Sequence, residues 1–389
     1  MDKNKKLEKY KKQTRLARTG MESDTQHGAI VPSICMSSTF SFEGLDRPRP
    51  YNYTRSGNPT RDLLGEAIAI SENGEGAIIT SSGMSAILCV LHLCKQGDVV
   101  LAPHDCYGST IRLLDSYNDS GFLKIVYVDQ TDPADLDRAF AENPAMVLIE
   151  TPSNPLLRIA DIKDICKRAK SCGAITVADN TFMSPALQNP IDLGADLVVH
   201  STTKFINGHS DVTGGAVVAA TPELEEKIFW WGNNLGLTGT PLDSFLTLRG
   251  MRTLDIRVQQ SQKSAQKVAE FLNTHEKITT VNYPGLTSHK QHELAKKQQK
   301  GFGSMISFEL DTDATGVQRF FDKIELFSLA NSLGAIESLI NHPYTMTHAA
   351  CTPEAKAYAG ISQSLIRLSI GLEDVDDLIE NLKISLANI

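Results

Sequence analysis

The sequence predicts an α/β protein with a large, mostly parallel sheet and a smaller C-terminal α/β unit. Short β-rich runs recur at residues 99–102, 125–128, 146–149, 175–178 and 197–199, with helical segments between several of them. These runs are apolar throughout instead of alternating, the pattern of strands buried on both faces of a parallel sheet. The length, 389 residues, exceeds what one hydrophobic core usually organises. With 41% hydrophobic and 22% charged residues, the chain can bury a large core.

The elements follow in order. Residues 21–58 are rich in Ser, Thr, Pro, Gly and Arg without periodicity, as expected of an extended segment lying over something else. A helix is predicted from Thr60, capped by its hydroxyl, with Leu63, Leu64, Ala67 and Ile68 on its apolar face and Asn73-Gly74 ending it. Residues 77–94 contain no charge, but Thr80, Ser81, Ser82, Gly83, Ser85 and His92 interrupt the run. It reads as a buried loop and helix, not a membrane span. A further helix places Ile162, Ile165, Cys166 and Ala169 on one face and stops at Gly173. A long helical stretch over 242–274, with Gly250 as a candidate kink, carries the chain out of the first domain. Beyond it, strands at 305–310 and 365–370 alternate with helices, including 375–386. The expected division is an arm at 1–58, an α/β domain at 59–260 and a second at 261–389.

Charge narrows the function classes. Lys plus Arg is 38 against 46 Asp plus Glu, a net −8, which argues against a nucleic-acid partner. The first twenty residues carry +6, leaving −14 for the remainder, so the basic segment reads as a solvated arm. Seven cysteines form no C-x-x-C pair and no zinc-spaced cluster, so no metal site is expected and a reduced, cytoplasmic compartment fits. No apolar stretch follows the N-terminal charges, so neither a secretory signal nor membrane association is expected.

In a parallel α/β sheet, ligands sit beyond the carboxyl ends of the strands. There the sequence places Asp179-Asn180-Thr181 after one run and Ser201-Thr202-Thr203-Lys204 after the next. An Asp and a Lys at neighbouring strand ends suit a structural ion pair, or two ends of one cofactor. A lysine amine can form a Schiff base with an aldehyde, and a carboxylate can pair with a protonated pyridine nitrogen. Pyridoxal phosphate has both features, and its phosphate needs a cradle. Ser82-Gly83-Met84, opening a helix, can supply backbone N–H groups and a favourable helix dipole.

In that order these motifs resemble the pyridoxal-phosphate-dependent enzymes of cysteine and methionine metabolism, of fold type I. The resemblance extends through residues 53–60, 104–108, 151–155, 179–182, 200–204, 208–211, 332–334 and 367–369. It implies that Lys204 carries the cofactor and moves protons, that Asp179 holds the pyridine nitrogen protonated, and that Tyr107 stacks on the ring. It also implies phosphate contacts from Gly83, Met84, Ser201 and Thr203, with Asn154 near the cofactor's phenolic oxygen. Arg367 matches the binder of the substrate α-carboxylate, Ser332 lies beside it, and Arg112 adds local positive charge. Tyr53 and Arg55 match residues that reach the phosphate of a neighbouring subunit, which implies a homotetramer built as a pair of dimers, acting on small amino acids.

Within the family, the runs 104–107 and 230–234 resemble members that join an O-acylhomoserine (succinyl or acetyl) to cysteine by γ-replacement, in methionine biosynthesis. Ser109 stands where methionine γ-lyases have Cys. Ser56 and Asn331 depart from the enteric synthase pattern in the distal substrate region, so γ-elimination of cystathionine and a sulfhydrylase reaction stay open. His289 and His292 read as solvent-facing on a Lys- and Gln-rich helix, and Trp230 and Trp231 as packing residues.

Overall fold

The computed structural model describes residues 9–349 and 352–389. Its larger sheet contains β1 (Gly76–Thr80), β2 (Val99–Pro103), β3 (Lys124–Val128), β4 (Met146–Glu150), β5 (Ile175–Asp179), β6 (Leu197–His200) and β7 (Gly215–Ala219). The order is β1-β7-β6-β5-β4-β2-β3. Strands β2 to β6 are mutually parallel, whereas β7 runs antiparallel to both its neighbours, β6 and β1. The five strands expected from apolar runs are all present. β1 and β7 escaped because Gly76–Thr80 lies largely in the charge-free run assigned to loop and helix, and Gly215–Ala219 is dominated by small residues with little strand preference.

Alternate side chains of these strands enter two different cores, as a period of two requires. Leu101, Val147, Ile149 and Ala178 pack with Ile162, Ile165, Cys166 and Ala169 of the helix Ile162–Cys172. Val100, Met146, Leu148 and Val177 pack on the opposite face with Ala86, Val90 and Leu91 of the helix Gly83–Leu91. Burial on both faces explains the uninterrupted apolar runs.

A second sheet follows, of β8 (Ile278–Asn282), β9 (Met305–Leu310), β10 (Ser328–Leu329), β11 (Leu339–Asn341) and β12 (Leu365–Ser369), in the order β10-β11-β12-β9-β8. Its inner face, with Ile306, Phe308, Ile340, Ile366 and Leu368, meets Val268, Leu272, Leu378, Leu382 and Leu386.

Several expectations change. The first long helix is Pro59–Glu72, and its cap is Asn58, whose Oδ1 accepts from the N–H groups of Thr60 and Arg61. The Thr60 hydroxyl instead ties the preceding arm, bonding Cys35 N and Ser33 O. The stretch 242–274 is two helices, Pro241–Met251 and Leu254–Asn273. Its break falls at Arg252-Thr253; Gly250 stays helical, and glycine is needed there because a Cβ would sit 2.1 Å from Asn207 O. The basic segment is not wholly solvated, although residues 1–8 lie outside the described residues. Lys12–Arg18 is a helix, and Lys12 Nζ is drawn inward to Asn189 Oδ1 at 3.0 Å.

His289 and His292 are not solvent-facing. The helix begins only at His292; His289 Nε2 meets Leu157 O at 3.1 Å, and His292 stacks on Phe302 with its Nδ1 2.7 Å from Pro284 O. Trp231 packs against the sheet as expected, whereas Trp230 is 55% exposed. The helix-sheet-helix layering is that of fold type I.

Candidate active site

The carboxyl ends of β4, β5 and β6 open into a cavity of about 470 Å³. Lys204 reaches it from the loop after β6, and its Nζ donates to Ser332 Oγ at 2.9 Å. Burial, together with the nearby Arg367 charge, lowers the amine to about 8. Asp179 ends β5 in the same cavity, where burial raises its carboxyl and hydrogen bonds from Thr181 oppose the rise. Thr181 also accepts from Ser201 N at 2.9 Å, so one threonine fixes the two strand ends that carry the Asp and the Lys loop. These two residues are not an ion pair; they occupy separate positions around one space.

Ser82 caps the helix Gly83–Leu91 by accepting from Ser85 N at 3.1 Å. A Cβ on Gly83 would lie 2.8 Å from Ser201 Cβ and 3.0 Å from Ser201 Cα. Only glycine lets this helix start approach the Ser201–Lys204 loop, and the result is a concave set of N–H and hydroxyl groups. Met84, Ser201 and Thr203 line the same wall. Thr203 is held in turn by Gly214, donating to its carbonyl at 3.2 Å and accepting from its N–H at 3.0 Å.

Tyr107 lies at the cavity mouth, 43% exposed, with its backbone N–H bonded to Glu150 Oε2 at 2.9 Å. Arg367, on β12, is 2% exposed. Its Nη1 donates to Asn154 Oδ1 at 2.8 Å and its Nη2 to Ser332 O at 2.9 Å, while Nε has no partner among the described residues. Burial lowers its guanidinium to about 10. Arg112 lies on the outer wall, where it donates to Ser109 Oγ at 2.8 Å. Asn331 is exposed at the rim and accepts from Asn341 Nδ2 at 2.9 Å.

Tyr53 and Arg55 are the predicted site residues that do not join the cavity. Tyr53 is half exposed, and the Arg55 guanidinium lies 5.9 Å over its ring. Glu150, in contrast, was missed and lines the cavity. It is the register partner of Asp179 on the adjacent strand, and burial beside that carboxyl pushes it well above the usual carboxylate range. With two acids side by side, the proton belongs on Glu150 and the charge on Asp179, which Thr181 bonds. The rule that located Asp179, a polar residue closing an apolar strand, finds Glu150 as well. Met346 and Thr347 also line the cavity, and no pattern in the sequence marked them.

The donor set fits pyridoxal phosphate: a glycine-dependent cradle at a helix start, a buried acid, and a lysine held partly neutral across one space. A type I pyridoxal-phosphate enzyme is the class that this fold and site define. The chain belongs to the Cys/Met metabolism PLP-dependent enzyme family, whose model matches residues 13–387. Among its relatives is a cystathionine gamma-synthase of Escherichia coli (strain K12), 50% identical over 96% of this chain and 97% of the relative. A cystathionine gamma-lyase of Dictyostelium discoideum is 44% identical, with the same coverage. The solved cystathionine gamma-synthase of Xanthomonas oryzae pv. oryzae, in complex with aminoacrylate and cysteine, superposes with a TM-score of 0.96. It is 53% identical, over 97% of this chain and 98% of that one. Among the described residues no group of His, Cys, Asp or Glu could hold a metal ion, and no helix is long and apolar enough to cross a membrane.

Proposed function

We propose that this enzyme performs a γ-replacement, exchanging the acyl group of an O-acylhomoserine for the sulfur of cysteine to give cystathionine. The observation that carries the reading is the pairing of Lys204 with Arg367: a half-buried, partly neutral amine beside a buried guanidinium whose Nε has no partner among the described residues. An α-amino acid carboxylate bound by Arg367 brings its α-carbon to the amine that must take the α-proton. When bound, pyridoxal phosphate supplies an electron sink that stabilises negative charge developing on the substrate carbons.

The protein's residues then divide the work. Lys204 would hold the cofactor through its amine, and that amine, when free, would accept the α-proton and return protons along the substrate chain. Asp179 keeps the ring nitrogen charged. Gly83, Met84, Ser201 and Thr203 hold the phosphate at the helix start. Arg367 fixes the α-carboxylate by a two-point contact and Asn154 orients Arg367. Tyr107, held through its backbone by Glu150, covers the cavity mouth. Arg112 places a second positive charge outward along the substrate, suited to a distal carboxylate. The acylate leaves from the γ-carbon, the cysteine thiolate bonds that carbon, and the thiol proton balances the departing anion.

Relatives named as synthases support the synthase reading, and the gamma-lyase relative supports cleavage of cystathionine as the second. Separate positions for Tyr53 and Arg55, exposed and outside their own cavity, suit residues that complete a neighbouring subunit's site in a tetramer. A product assay with succinyl- and acetyl-homoserine, each with and without cysteine, tests the proposal. Cystathionine forming from either donor supports it. Rapid cystathionine cleavage, with none formed from either donor, assigns the lyase reaction instead.

A further inference from the structure

Behind the cavity lies a buried polar cluster that the chemistry above does not use. Glu72 is the last residue of the helix Pro59–Glu72 and is completely buried. A carboxylate there is doubly unfavourable, removed from water and set at the negative end of the helix dipole. Three side chains converge on it: His200 Nε2 at 2.7 Å, Asn180 Nδ2 at 2.7 Å and Asn189 Nδ2 at 3.0 Å. Lys12 and Lys300 stand one step further out, both donating to Asn189 Oδ1 at 3.0 Å. The two amide groups donate to Glu72, and His200 Nε2 is the third group held by that carboxylate.

His200 closes β6, is 1% exposed and lines the cavity. Its Nδ1 has no partner among the described residues. The groups around it are Glu72 from the helix, Asp179 from the adjacent β5 and Lys204 from its own loop. Glu72 also bonds Asn180, the residue next to Asp179, so both strand ends are tied to one buried carboxylate.

We propose that Glu72 and His200 are positioning residues acting through Asp179: the buried Glu72 carboxylate fixes the His200 ring beside Asp179 and Asn180 next to it, which holds the Asp179 carboxylate opposite the cofactor's ring nitrogen. This rests on the reading that Asp179 faces that nitrogen. The relay therefore runs from the helix that leads into the sheet, across two strand ends, to the cofactor, without either residue touching substrate.

The test loads the enzyme with pyridoxal phosphate isotopically labelled at its ring nitrogen and follows that nitrogen's protonation by NMR as pH rises. Both Glu72→Gln and His200→Gln are expected to lower its deprotonation midpoint by about one pH unit, a tenfold loss of proton affinity. Asp179→Asn serves as the reference and is expected to lower it at least as far. An unchanged midpoint in the Glu72 and His200 variants, with a lowered one in Asp179→Asn, overturns the relay and leaves the Asp179 reading standing. An unchanged midpoint in Asp179→Asn overturns both. A purely structural role for the pair would lower the melting temperature and leave the nitrogen signal in place. Should these substitutions prevent folding, the milder Glu72→Asp, which withdraws the carboxylate by one methylene, takes their place: a lowered midpoint supports the proposal, and an unchanged one overturns it.

Discussion

Arg367→Lys isolates the carboxylate grip with no change of charge. A guanidinium has five N–H groups in a fixed plane. Arg367 spends one on Asn154 Oδ1 and one on Ser332 O, which leaves the Nε–H and one N–H on each Nη for a substrate carboxylate. Nε with an adjacent Nη makes a side-on, two-point contact. A lysine ammonium offers three N–H groups from a single nitrogen, so it cannot keep both protein bonds and a two-point grip. The loss is one charge-assisted hydrogen bond, about 1.5–3 kcal/mol, since bonds to charged groups fall in that range. At 1.4 kcal/mol per decade this is roughly a ten- to 150-fold rise in KM for the amino-acid substrate. The carboxylate keeps its charge throughout the reaction, so the contact is uniform binding and kcat should change far less. Steady-state kinetics on acylhomoserine at saturating cysteine, with a melting curve to verify folding, measure the split. A folded Arg367→Lys enzyme whose KM stays within about twofold would refute the assignment.

Other outcomes follow from the same geometry. Lys204→Ala should bind the cofactor without a borohydride-stable link and lose turnover by several orders of magnitude; near-normal turnover would remove Lys204 from the mechanism. Gly83→Ala pushes a methyl to 2.8 Å from Ser201 Cβ, so overpacking of about 1–3 kcal/mol should appear as a roughly five- to 140-fold weaker cofactor Kd by fluorescence titration. An unaltered Kd would mean the cradle lies elsewhere. In the cofactor-free protein, Lys204 is lowered from 10.5 to about 8. Its neutral, aldehyde-capturing form therefore grows in as pH passes about 8. Because the unfolded lysine keeps its proton to higher pH, this group also makes the fold more stable as pH rises from about 8 towards 10.5. Stopped-flow capture rates with a midpoint at the ordinary lysine value would contradict that environment. Finally, inactive Lys204→Ala and Arg55→Ala chains, mixed and reassociated, should regain partial activity if Arg55 serves a neighbouring site, and no recovery is expected if it serves its own.

The strand ends were legible because parallel sheets concentrate function there and because buried strands write themselves as apolar runs. Asp179 and the Ser201–Lys204 loop needed no more than that rule, the Ser82-Gly83-Met84 turn followed from the cofactor's need for a phosphate cradle, and Arg367, Asn154 and Tyr107 came through family resemblance. What escaped did so for physical reasons. Gly215–Ala219 looks like a weak strand because β7 is buried among small side chains. Glu72 looks like an ordinary charge at the end of a helix; its donors lie more than a hundred residues away and nothing local marks them. His289 and His292 sit among Lys and Gln, yet their rings find carbonyl partners across the fold. Local composition describes a helix's neighbours in sequence, whereas burial is decided by whatever packs on it.

The reversed direction of β7 has an engineering consequence. In a wholly parallel sheet the chain leaving β6 would need a long crossover before re-entering at the neighbouring position. Here it turns back directly, so the lysine-bearing loop spans only 201–214 and both its ends are set by adjacent strands. Thr203 bonds Gly214 across its base, and Gly215 can approach Ser82 O only because it lacks a Cβ. The loop that holds the reactive amine is therefore a closed stirrup. Tags, hinge sequences or new chain ends grafted into it would spread the stirrup and drag the amine out of line, even where the sheet itself survives. Sites for such grafts are better sought beside Gly97, Gly121 or Gly236, exposed turns that leave the stirrup untouched and whose positive φ requires the glycine itself to be kept.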